Sequence, residues 1–94
     1  MIKVLIKENN IEISGHANFN DYGKDIVCAS VSSIVYTTIN GILNINDKAL
    51  LVTDNNNLNI KILSNDNITN KLIDNMITLL KDLEKQYPKN LKIK

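Results

Sequence analysis

The stretch Asp25–Ile42, DIVCASVSSIVYTTINGI, decides the fold. Asp25 is a good N-cap residue, since a short carboxylate accepts from the unpaired amides of a first helical turn. Val27, Val31, Ile34, Thr38 and Ile42 then recur at alternating four- and three-residue steps, the stripe of an amphipathic helix, and Val35 and Ile39 widen it. Gly41 and the polar run Asn44–Asp47 are expected to close the helix.

Before it, Ile2, Val4 and Ile6 alternate with Lys3 and Lys7, the period of a half-buried strand in which Leu5 is the one misfit. Glu8, Asn9 and Asn10 supply turn chemistry, and Ile11 and Ile13 resume the alternation, so a hairpin is expected. Gly15–Lys24, GHANFNDYGK, carries neither hydrophobic period and reads as a mobile surface loop with two unexpected aromatics, Phe19 and Tyr22. After the helix, Ala49–Thr53 and Leu58–Leu63 read as a second hairpin joined by Asp54–Asn57. Asp66 or Asn67 can cap a second helix bearing Leu72, Met76, Leu79 and Leu83, flanked by Ile68, Ile73, Ile77 and Leu80. Pro88 stops it, and Leu91 and Ile93 suffice for a short last strand or a solvated tail. The order strand, strand, helix, strand, strand, helix predicts an α+β domain with its helices packed on one sheet. No repeat or linker divides residues 1–94, which are expected to form a single domain.

The chain has one His and one Cys, at the two ends of the loop: His16 follows a strand and Cys28 lies in the first turn of a helix. At a helix start the backbone amides lack partners and the macrodipole is positive, which favours a thiolate, and an imidazolium favours it further. An ordinary thiol is only about 3% ionised at pH 7, so both effects bear on nucleophilicity. Asp25 opposes them unless its oxygens cap the helix or orient His16. Free amides near Cys28 suit an oxyanion, and Ser32, one turn later, shares its face. Taken alone, each residue also has a structural reading: the Cys as a small buried hydrophobe, the His as a solvated loop residue, Asp25 as a cap and Ser32 as helix surface.

The run Gly15–Ser33, GHANFNDYGKDIVCASVSS, closely resembles the signature of the ribosomal-processing cysteine proteases, the Prp family of Firmicutes and related bacteria. That signature reads G-H, six residues, then G-x-D-I-V-C-A-x-x-S, and it is matched without departure over about a fifth of the chain. The resemblance implies removal of a short N-terminal extension from large-subunit ribosomal protein number twenty-seven. It puts the nucleophile on Cys28 and the base on His16, matches Asp25 and Ser32 to two further motif positions, and matches Gly15 and Gly23 to loop hinges. It also implies that the loop orders over substrate, making Phe19 and Tyr22 candidate substrate contacts, and that members form homodimers. No cofactor and no metal are expected; one His and one Cys fall short of a zinc site unless a dimer shares them.

Other classes are disfavoured. There is no Cys-x-x-Cys for dithiol exchange and no Arg for a cysteine-phosphatase cradle. A net charge of +1 and 4% aromatic residues argue against direct nucleic-acid contact, with the lysines at positions 89, 92 and 94 read as solvation. No apolar stretch is expected to approach the roughly 20 residues of a membrane span, and the absence of a signal-peptide pattern suggests the cytoplasm. The rival from a different class is a non-catalytic ribosome-associated binding or assembly module of the same fold.

Overall fold

The computed structural model describes residues 1–15 and 24–94, with the backbone alone at Lys24 and Asp25. Seven elements follow one another: β1 (Ile2–Lys7), β2 (Asn10–Ser14), α1 (Lys24–Ile45), β3 (Leu50–Asp54), β4 (Leu58–Ile62), α2 (Asn67–Gln86) and β5 (Leu91–Ile93). The strands form one sheet in the order β3-β4-β2-β1-β5. The two hairpins are joined centrally by antiparallel β2 and β4, with Ile11 opposite Ile60, and β5 pairs parallel with β1. The α+β architecture expected from the pattern is the one observed, and Leu91 and Ile93 belong to the sheet rather than to a tail.

Alternation explains the sheet. Ile2, Val4, Ile11, Leu58, Ile60 and Leu91 are buried toward the helices, while Lys3, Lys7, Lys61 and Lys92 point the other way. Leu5 takes a place on the lysine face, half-buried opposite Glu12, which is why it breaks the pattern.

Helix α1 departs from the expected stripe. Its buried line is Val27, Val31, Val35, Ile39 and Ile42, whereas Ile34 and Thr38 are only partly covered and the Thr38 hydroxyl donates to the Ile34 carbonyl. Steps of four with a single step of three follow the 3.6-residue turn along the sheet. Each buried aliphatic contributes about 1.5–3 kcal/mol, and this burial holds a helix rich in β-branched residues of modest propensity. Gly41 does not close the helix, which runs through it to Ile45; one glycine costs only about 1 kcal/mol there. The expectation about apolar length also fails, because Ile26–Ile45 is 20 residues long with a mean hydropathy of 1.6, enough by length and composition to cross a bilayer. Small and hydroxyl residues interleave the aliphatics, so α1 is apolar around much of its girth while its buried line packs on the sheet.

Helix α2 starts at Asp66, whose carboxylate accepts from the Thr69 amide at 2.7 Å, the Thr69 hydroxyl at 3.0 Å and the Ser64 hydroxyl. Its buried line is Thr69, Ile73, Met76, Leu80 and Leu83, so the flanking Ile73 and Leu80 prove central, Leu72 is only half-buried and Leu79 is exposed. The helix ends at Gln86, just before Pro88, and the Tyr87 amide donates to the Leu83 carbonyl. The Glu84 carboxylate then accepts from the Ile93 amide, covering an open donor on the edge strand β5.

Candidate active site

Cys28 is the fifth residue of α1, half-buried against the core and open on one side to a cavity of about 150 Å³. The floor of that cavity is apolar, made by Ile2, Ile13, Val31, Val35 and Leu58. Its rim is polar: Ser14 and Gly15 at the end of β2, Ser32 and Tyr36 on α1, and Asp54, Asn55 and Asn56 of the β3–β4 turn. Cys28, Ser32 and Tyr36 stand four residues apart, so they line one wall as consecutive turns of one helix face.

Two local features shape this space. Gly15 has φ +90°, a left-handed backbone that side chains rarely adopt, and a methyl group there would run into the Met1 carbonyl oxygen. Only glycine lets the end of β2 pass so close to the start of β1. At the far end, the Tyr36 hydroxyl donates to the Asp54 carboxylate at 2.9 Å, joining α1 to the turn. That hydrogen bond, with some burial and the nearby negative charge, raises the Tyr36 phenol above its ordinary value of 10.0.

Cys28, Ser32 and Gly15 line one cavity. Asp25 is not the N-cap, because the helix already includes Lys24. An acidic residue suits a first helical turn as well as a cap, since both meet the positive end of the macrodipole. With the helix starting at Lys24 or before, the Cys28 amide belongs to the helical ladder, and the amides without an intrahelical partner are ones that precede it. His16, Phe19, Tyr22 and Gly23 lie outside the described residues, as does the Asp25 side chain. Among the described residues no group of three or more His, Cys, Asp or Glu is placed to hold a metal ion.

Sequence reasoning missed the far end of the cavity. Tyr36 was within reach, since one more step of four beyond Ser32 arrives at it. Asp54–Asn56 carried no such signal: the turn meets α1 only through the sheet order, which pattern does not fix.

Set beside known proteins, residues 1–92 match the family model described as cysteine protease Prp. The chain is 26% identical over 91 residues to the ribosomal processing cysteine protease Prp of Staphylococcus aureus, a match covering 93% of this chain and 86% of that protein. Its fold superposes with a TM-score of 0.85 on a crystal structure of the S. aureus ribosomal processing protease Prp in complex with a substrate peptide, at 19% identity over 99% of this chain and 95% of that one. A second S. aureus Prp structure, with a covalently linked product peptide, matches with a TM-score of 0.82 at 20% identity, over 98% and 94% of the two chains.

Proposed function

The chain belongs to the cysteine protease Prp family, and from that premise we propose that it removes the N-terminal extension of large-subunit ribosomal protein number twenty-seven through a Cys28–His16 dyad. One observation carries the reading: the chain's single thiol opens onto a cavity whose rim includes Gly15, the residue immediately before the single histidine.

The chemistry follows from these groups. The Cys28 sulfur attacks the scissile carbonyl and its proton passes to His16, while amides preceding Cys28 in the first turn of α1 hold the developing oxyanion. His16 returns the proton to the leaving amine, and the thioester remains on Cys28. Water, deprotonated by His16, then releases the acyl product. Ser32, which lines the same cavity as Cys28, is the hydroxyl that serves the thiolate, and Asp25 supports the dyad. The apolar floor takes one side chain flanking the scissile bond, since an apolar cavity of about this size holds a benzene-sized group. Gly15 and Gly23 act as hinges for the segment that carries Phe19 and Tyr22 to the substrate. The working form is a cytoplasmic homodimer that needs no cofactor.

Incubation with the unprocessed ribosomal protein, followed by mass spectrometry, tests this. Shortening by wild type and none by Cys28→Ala or His16→Ala is expected. Stable co-elution without shortening would make the chain a binding module instead, and full activity in either variant would remove the dyad.

A further inference from the structure

The net charge of +1 is an average over an uneven surface. Lys3, Lys7, Lys61 and Lys92, four of the eleven basic residues, are exposed on the sheet face turned away from both helices, and Glu12 is the carboxylate at a strand position there. No described element covers this face. Its charge of +3 leaves the rest of the chain at −2, so the segregation is invisible in the total.

The lysines fall in two pairs. Lys3 lies directly opposite Lys92 on β5, and Lys7 and Lys61 flank Asn10 on β2. The pairs are separated by four residues of β1, roughly 13 Å at the rise of a strand. Like charges facing each other on neighbouring strands destabilise a sheet, so the Lys3–Lys92 pairing does not serve folding. Between the pairs the register sets Leu5, Glu12 and Asn59 in one row across β1, β2 and β4, so the carboxylate lies amid four lysines, and the Asn10 amide donates to the Asn59 side-chain oxygen at 3.4 Å. None of these strand positions is aromatic, which removes base stacking as a mode of binding. Insertion into a bilayer needs large exposed apolar groups, and here Leu5 is half-buried and Leu51 stands at the sheet edge.

We propose that this face docks on the phosphate backbone of double-stranded RNA, a sequence-independent grip that leaves the cavity on the helix side of the sheet free for peptide. The choice of RNA rests on the function proposed above, in which the substrate is a protein destined for ribosomal RNA. Sequence far apart in the chain builds the surface: Lys92 looks like part of a solvated tail until β5 places it beside Lys3.

Fluorescence anisotropy with a mixed-sequence duplex RNA of about 20 base pairs tests the proposal without requiring cleavage. Binding by the intact chain is expected to weaken about 60-fold between roughly 50 and 200 mM salt, a log–log slope of about −3. The quadruple variant K3Q/K7Q/K61Q/K92Q should lose that slope, and K71Q/K81Q on the exposed side of α2 should keep it. Should the quadruple variant fold poorly by circular dichroism, K3Q/K92Q and K7Q/K61Q are each expected to remove about half of the slope. Equal slopes in all variants, no RNA binding, or binding to phosphatidylglycerol vesicles in place of RNA would overturn the proposal. Cleavage of a free peptide should be unchanged in the lysine variants; if every protein fails to cleave while RNA binding behaves as stated, the docking face stands and the protease reading falls.

Discussion

The two helices of this domain begin in different ways. At the start of α2, the carboxylate of Asp66 is saturated by Ser64 and Thr69, and the helix goes on to bury one well-defined line beneath a polar exterior. In the first turns of α1 the chain instead places its only thiol, beside a cavity and half in contact with solvent. The start of one helix is used for stability, and the early turns of the other carry a nucleophile beside a cavity.

The contrast is broken most completely by deleting one side chain from each helix. Cys28→Ala should lower peptide cleavage by more than about a thousandfold, read as kcat/KM, with a cooperative thermal transition retained. Met76→Ala, at a fully buried position of α2, should cost about 2–5 kcal/mol in denaturant unfolding while the surviving folded fraction cleaves normally.

Gly15→Ala sharpens the boundary between site and scaffold. The left-handed backbone and the Met1 contact make it unfavourable by about 1–3 kcal/mol, and because Gly15 is part of the cavity rim, kcat/KM should fall as well.

Smaller effects come from the hydrogen-bonded carboxylates of Asp66 and Asp54. The Ser64 hydroxyl, then the Thr69 amide, hold Asp66 below the ordinary carboxylate value. A lowered folded-state value means that its contribution is present above the ordinary range and is lost as the pH falls through the folded value. Asp66→Ala should therefore lower the melting temperature near neutral pH and converge with wild type in strong acid. Tyr36→Phe removes a hydrogen bond on a residue that is 40% exposed, so stability should change by about 0.5 kcal/mol or less. Its effect should appear instead in KM, since the β3–β4 turn is no longer tied to the cavity wall.

Much of this fold was legible because strand and helix periods differ. Val4 and Ile11 declare a strand face by alternation, and Val27, Val31 and Ile42 declare a helix face by their spacing. Position along the helix was less legible: Ile34 and Val35 both satisfy an apolar stripe, and only contact with the sheet decides that Val35 is the buried one. Gly41 and Asp25 misled because the residue types that end or cap helices are also tolerated inside them. The site divides in the same way. Cys28, Ser32 and Gly15 lie within one signature, whereas the Tyr36–Asp54 wall depends on strand order and the lysine face on register, both of them long-range properties.

The central claim is that His16 activates the thiol of Cys28, and the rate of Cys28 alkylation by iodoacetamide at pH 7 reports on it directly. Activation predicts that His16→Ala slows alkylation about tenfold or more in the folded protein. Equal rates in wild type and variant would show a thiol indifferent to the imidazole and would contradict the dyad.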